Sequence, residues 1–128
     1  MTTFFCPDCW SEVRPRAPIC PSCGSNLEAL DEASYVEKLC RALWHPEGFT
    51  ARRAAWLLGR RREGGAVEAL ASRAETDCGI YLSKGIFDAL AAIGTKPALN
   101  ALRTLRDSEQ RRLVRRHADA LLGRVEAR

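Results

Sequence analysis

The sequence predicts a mostly α-helical protein, a short solenoid of paired helices preceded by a small β-type module organised on a metal ion. Three observations carry this reading. Two Cys-x-x-Cys pairs lie within the first 23 residues, a pattern recurs at an interval of 32 residues from Thr50 onward, and the apolar residues of each copy fall on one helical face. The chain has 128 residues, 46% apolar and 28% charged, which gives room for one small module and one helical domain. We place the module at residues 1–28 and the helical domain at 29–128.

The module comes first. Cys6-Pro7-Asp8-Cys9 and Cys20-Pro21-Ser22-Cys23 are two knuckles separated by ten residues. Thiolates two residues apart on a tight turn present both sulfurs to one ion, and the amides of the turn point at those sulfurs. Pro7 and Pro21 preset φ for each turn, and Gly24 after the second pair permits the left-handed conformation in which a knuckle ends. Trp10 stands where the matching glycine would be. A bulky side chain is disfavoured there, so either the first knuckle has a different shape or the ring is recruited to pack on the helices. A segment of about 25 residues buries too little apolar surface to hold itself folded, so the metal must supply what the core does not. Four protein thiolates leave no open position for water or substrate, which makes the site structural.

The stretch from Phe5-Cys6-Pro7-Asp8-Cys9-Trp10 to Ile19-Cys20-Pro21-Ser22-Cys23-Gly24-Ser25-Asn26-Leu27 resembles the short zinc-ribbon family that often opens bacterial multidomain proteins. The resemblance implies one structural Zn2+ on Cys6, Cys9, Cys20 and Cys23, with iron in a rubredoxin-like site as the alternative. It implies no cellular role, because ribbons of this kind serve as nucleic-acid, protein and purely structural modules.

Six helices follow, predicted near residues 31–43, 48–60, 65–76, 80–93, 97–106 and 109–126. The segments starting at Thr50, Leu82 and Val114 align as three copies, and Ala66-Val67-Glu68-Ala69-Leu70 matches Ala98-Leu99-Asn100-Ala101-Leu102 at the same shift of 32. Within the copies the first, fifth, eighth and ninth positions are apolar: Thr50, Ala54, Leu57 and Leu58; Leu82, Ile86, Ala89 and Leu90; Val114, Ala118, Leu121 and Leu122. That spacing is one helical stripe. Alanine at the fifth or eighth place lets neighbouring helices approach, and glycine or Thr95-Lys96-Pro97 breaks the chain before each second helix. The third repeat stops after one helix. Its open side either carries a polar cap, with Arg124, Glu126 and Arg128 as candidates, or receives another surface such as a second copy of the chain.

These copies resemble the HEAT-like repeats first noted in phycobilin lyases, over roughly residues 36–126. His45-Pro46, Ala54-Ala55 and Leu58-Gly59 match in the first copy, and Val114-Arg115 and Leu122-Gly123 match in the last. The middle copy departs, with Ser83 and Ala91 at the corresponding places. The resemblance implies an architecture of stacked helix pairs but selects no function, since the family holds enzymes, scaffolds and chaperone-like factors.

Charge suggests where a partner would bind. The net charge is +4, and residues 31–128 carry eighteen bases against thirteen acids. The third position of each first helix holds Arg52, Lys84 or Arg116, a potential basic row flanked by Arg53, Arg60, Arg61 and Arg62 at one end and Arg111, Arg112 and Arg115 at the other. A solvated charged face is the plainer interpretation of the same residues. Trp56, one turn beyond Arg52, is either a binding anchor or part of a seam between module and helices, and the seam is the expected place for Trp10 and Trp44. Cys40 and Cys78 lie outside the metal pattern and are expected to be buried.

His45 and His117 have no nucleophile with an oriented base beside them, so catalysis is not expected. No run approaches 18 apolar residues and the N-terminus lacks a signal-type apolar core, which points away from membranes and to a reducing cytoplasm. The expected function is a noncatalytic protein-interaction adaptor or scaffold with Arg52, Trp56, Lys84 and Arg116 as candidate partner-binding residues. A nucleic-acid-binding accessory protein is the alternative, and a phycobilin-lyase-like enzyme subunit, resting on repeat similarity alone, is the third reading.

Overall fold

Two strands of two residues, β1 (Phe4–Phe5) and β2 (Glu12–Val13), pair antiparallel around the first cysteine turn, with Phe4 opposite Val13 and Phe5 opposite Glu12. A single bridge between Ile19 and Asn26 closes the second turn in the same way. Pairings this short do not stand alone in water. The computed structural model describes residues 4–76 and 78–126, and among them no helix is long and apolar enough to cross a membrane.

Seven α-helices follow among the described residues, one more than the periodicity predicts. A short helix that the periodicity does not predict, α1 (Leu27–Asp31), precedes the expected first helix, which is α2 (Tyr35–Ala42) and starts four residues later than predicted because Ser34 adopts an extended backbone and its hydroxyl accepts from the Glu37 N–H. Asn26 caps α1 in the same manner, accepting from the Ala29 N–H at 3.1 Å. Next come α3 (Gly48–Arg60), α4 (Val67–Glu75, entered through a 3-10 turn at Gly64–Ala66), α5 (Ile80–Ile93) and α6 (Lys96–Ser108). Gly94, with φ of 67°, ends α5, and Thr95 caps α6 with Pro97 in its first turn. The last helix, α7 (Arg112–Glu126), begins three residues later than predicted. Glu109 engages the Arg111 backbone N–H and guanidinium, and that local pairing holds the chain outside the helix.

Helices α3, α5 and α7 are successive neighbours in one layer, and α4 and α6 pack against each other and against that layer, while α2 covers α3. The arrangement is the expected stack of helix pairs. The buried stripe is wider than four positions per copy. Ala51 and Ala55 in α3, and Ser83 and Phe87 in α5, are buried as well, at the second and sixth positions. A helix inside the stack is covered on two sides, so a second stripe is shielded by the next repeat. At the same positions of α7 stand Arg115 and Asp119, both exposed.

The end of the stack is therefore closed by charge, but only in part by the residues expected to do so. Glu126 turns back to Arg103 of α6 at 3.5 Å, Arg124 is exposed, and Arg128 lies outside the described residues. Arg111, grouped with the surface bases by sequence, points inward. Its guanidinium donates to Ser83 Oγ at 2.7 Å and to the Cys78 carbonyl at 2.7 Å while pairing with Glu109. Ser83 is only 1% exposed, so this cation satisfies the polar group buried between α5 and α7. The same hydrogen bonds from Arg111 hold the Glu109 carboxyl below its usual range. Cys78 is buried as expected, whereas Cys40 is half-buried, and burial raises its thiol pKa.

The tightest approach in the stack is at Gly59, where an added Cβ would lie 2.7 Å from Ala89 Cα. By contrast, a Cβ on Gly85 in the middle of α5 would meet nothing within 4 Å. Gly59→Ala should destabilise the fold by about 1–3 kcal/mol through overpacking. Gly85→Ala should leave stability unchanged or raise it by up to about 1 kcal/mol through helix propensity. Urea unfolding of the two variants checks the crossing; equal effects would place it elsewhere.

Candidate functional site

The two cysteine knuckles are built alike. The Cys6 N–H donates to the Ser11 carbonyl and the Trp10 N–H to the Cys6 carbonyl, at 2.9 and 2.7 Å; the Cys20 N–H donates to Ser25 and the Gly24 N–H to Cys20, at 3.0 and 2.9 Å. Trp10 has φ of 60° where Gly24 has 78°. The first knuckle thus keeps the shape that suits glycine, and the bulky residue accepts the left-handed conformation. Its ring explains why: Trp10 packs at 4.9 Å from the His45 ring, which also meets Phe5 edge-on at 5.0 Å. His45 is held in turn by the Glu47 N–H, which donates to Nδ1 at 3.0 Å. This seam joins the module to the turn between α2 and α3. Trp44 lines the adjoining cleft with Cys9 and Trp10, its ring beneath the Arg73 guanidinium at 4.6 Å.

The knuckles bring the sulfurs of Cys6, Cys9, Cys20 and Cys23 within 4.8 Å of one another. The Cys6–Cys23 and Cys9–Cys20 separations are 3.7 and 3.6 Å. An ion held tetrahedrally by four sulfurs at about 2.3 Å requires edges of about 3.8 Å. A disulfide needs about 2.05 Å. The spacing fits one metal ion and not a pair of disulfides. Cys6 and Cys20 are buried, while Cys9 and Cys23 face solvent.

Burial pushes the Cys6 thiol up to about 11, whereas hydrogen bonds from Ser11, side chain then backbone, draw Cys9 down to about 6. Cys9 is therefore the thiolate ready to meet an ion at neutral pH. The Asp8 N–H points at Cys6 Sγ at 3.4 Å. Around Cys23 runs a polar chain: its sulfur lies 3.1 Å from Ser25 Oγ, the Ser25 hydroxyl donates to Asp8 Oδ2 at 2.5 Å, and Asp8 Oδ1 lies 3.6 Å from Arg41 of α2. The Asp8 N–H on Cys6 is the kind of outer-shell donor that orients a thiolate, whereas at Cys23 the thiol itself donates to Ser25 Oγ, and the chain runs on through Asp8 to a helix of the stack.

A second feature lies on the outer face of the stack. A groove of about 610 Å³ runs between α3 and α5, with Phe49, Arg53, Trp56 and Arg60 along one side and Gly85, Asp88 and Ala92 along the other. Phe49 is 74% exposed and Trp56 54%, so neither ring serves the core. The Arg60 guanidinium lies 5.5 Å from the Trp56 ring, and Arg52, also lining the groove, lies 5.4 Å from the Tyr81 ring. Trp56 thus stands on the outer groove and takes no part in the seam.

Of the four residues expected to bind a partner, Arg52 and Trp56 meet in this groove, while Lys84 and Arg116 do not line it. Sequence reasoning passed over Phe49 and Gly85. The available signal was Gly85 itself, a mid-helix glycine at the repeat position held by Arg53 and His117 in the other copies.

A family model described as HEAT repeats matches residues 27–123. No curated protein and no solved structure matches the chain.

Because Cys6 must give up a proton to ligate, metal affinity should rise with pH between about 7 and 9, by at least about tenfold per unit. Competition with a chromophoric chelator measures this. An affinity flat across that window would remove Cys6 from the ligand set.

Proposed function

The chain belongs to the HEAT-repeat family, and from that membership we propose that it is a noncatalytic adaptor whose helical stack docks a protein and whose cysteine module holds one structural Zn2+. The observation that carries the docking half is the groove between α3 and α5, where Trp56, Phe49 and three arginines are presented to solvent on rigid helices. Large aromatic rings and arginines dominate binding energy at protein interfaces, and here they sit on elements that need no ordering before contact.

Zinc is supported by the all-sulfur donor set, by edges near the tetrahedral value and by the closed shell of four protein ligands. When bound, the ion supplies folding free energy to the module, on the order of 10–16 kcal/mol in small zinc modules, and no open coordination position for a substrate. Thiolate ligation and the free thiols of Cys40 and Cys78 suit a reducing compartment such as the cytoplasm.

Protein purified under reducing conditions should contain one zinc per chain by elemental analysis. Chelation should abolish the protection of amides in residues 4–26 against hydrogen exchange while leaving the helical circular dichroism of α3 to α7 nearly unchanged. Loss of the helical signal together with the metal would show one cooperative unit instead.

For the docking half, the paired substitution Arg52→Ala and Trp56→Ala should lower partner capture from the native host at least about tenfold, the scale of hot-spot losses above 1.4 kcal/mol. The thermal midpoint should not move. Capture unaffected by the pair would remove the groove from the interface. Retention on DNA that falls steeply with added salt, with no protein captured, would favour the nucleic-acid alternative.

A further inference from the structure

The repeat itself shows what makes the groove. At the junction of α5 with α7, His117 Nε2 lies 2.6 Å from Asp88 Oδ1 and bridges the two helices on their outer side. One repeat earlier, at a shift of 32, the same two positions are Gly85 and Trp56. The bridge is missing and a channel is left in its place. Packing does not require that glycine, because a Cβ at Gly85 would enter open space, unlike the one at Gly59. Glycine in the middle of a 14-residue helix is a poor helix former, so its value at this position lies in the room that it leaves.

Cations outnumber acids in the room by three to one. Arg52, Arg53 and Arg60 line it, and none of the three has a carboxylate within 4.0 Å among the described residues. The single acid on its wall, Asp88, is already engaged by His117. The rest of the lining is apolar and small-sided, with Gly59, Gly85, Ala92 and the buried Ala89 beside the exposed rings of Phe49 and Trp56.

From these features, and resting on the adaptor reading above, we propose that the α3–α5 groove binds an acidic segment of a partner protein. A bulky apolar side chain of that segment seats over Gly85 between Phe49 and Trp56, and its carboxylates meet Arg52, Arg53 and Arg60. Phe49 and Arg60 lie eleven positions apart in α3, or about 16 Å at about 1.5 Å per residue, which accommodates about three turns of a docked helix. A peptide suits the site better than a nucleic acid strand. Lys84 and Arg116, which would be needed to extend a track for successive phosphates, lie outside the groove.

The test uses the full-length protein, zinc-loaded, and three fluorescein-labelled probes: a 14-residue amphipathic peptide with Glu and Asp on one face and Leu and Phe on the other, the same peptide with Gln and Asn for the acids, and an oligodeoxythymidine of similar length. Anisotropy should show the acidic peptide binding at least tenfold more tightly than its neutral counterpart. Gly85→Leu, which fills the groove from open space without disturbing the stack, should weaken it at least tenfold with an unchanged thermal midpoint, as should Arg53→Ala with Arg60→Ala.

Equal binding of acidic and neutral peptides, both lost in Gly85→Leu, would overturn the acidic partner while leaving a protein-docking groove. Peptide binding indifferent to Gly85→Leu, or no peptide binding at all, would overturn the groove as the site. Binding of the oligonucleotide alone would overturn the adaptor reading itself. Dimerisation of the unliganded protein that Gly85→Leu abolishes would assign the groove to a second copy of the chain and overturn the proposal.

Discussion

The close approach of α3 and α5 is the constraint on which the rest of this structure depends. Ala51, Ala55 and Gly59 form a stripe of minimal side chains along α3, and Ala89 of α5 comes so near to Gly59 that no Cβ fits between them. Small residues let two backbones share the same core volume, and dispersion contacts grow as the gap closes. With the axes held this near, Leu58, Ile86 and Leu90 interlock beneath the contact and are fully buried. At the neighbouring junction of α5 with α7, His117 and Asp88 bridge the outer side. Where the sequence supplies Gly85, an open channel remains.

The N-terminal module is attached by a different physics. It has two-residue strands and two knuckles, and among its described residues Cys6 and Cys20 are the buried apolar ones. Its connection to the stack is an aromatic clamp on His45 and a polar chain from Cys23 through Ser25 and Asp8 to Arg41. The clustered cysteines, whose spacing fits one metal ion, and the apolar stack are thus two different kinds of order in one chain, joined at a seam of three rings. The left-handed backbone at Trp10 belongs to that seam. A tryptophan held at φ of 60° is unfavourable by itself, and it persists because its ring has a partner on the other side of the boundary.

How much of this could be read from the sequence depended on whether a residue's role was set locally or by its neighbours in space. The cysteine spacing defined both knuckles because the chemistry of two thiolates on one turn is local. Periodicity located five of the helices to within a few residues for the same reason. The separate α1 and the late start of α2 were missed because Asn26 and Ser34 each act through one capping hydrogen bond, which outweighs the helical spacing around it. The second buried stripe was missed because covering it needs the next repeat. Arg111 looked like one surface base among several, and only the approach of α5 to α7 shows that Ser83 and the Cys78 carbonyl draw it inward. Trp56 and Arg52 were legible as an exposed pair by helical phase, whereas the groove beside them depended on what a different helix lacked.

The middle copy draws these threads together, because it departs most from the repeat and carries what distinguishes this stack from a uniform one. Ser83 stands where the first copy has Ala51, and its hydroxyl gives Arg111 a buried acceptor that pins the start of α7. Gly85 stands where the other copies have Arg53 and His117, and it opens the outer face. Phe87 stands where the first copy has Ala55 and is buried, being 1% exposed. A regular repeat specifies stacking and nothing else, since every unit offers its neighbours the same surface. Specific recognition needs a unit that breaks the symmetry without breaking the core. The residues at the second and sixth positions, Ser83 and Phe87, are buried, and a Cβ at the fourth, Gly85, would enter open space, so in α5 the two tasks are divided between two sides of a single helix.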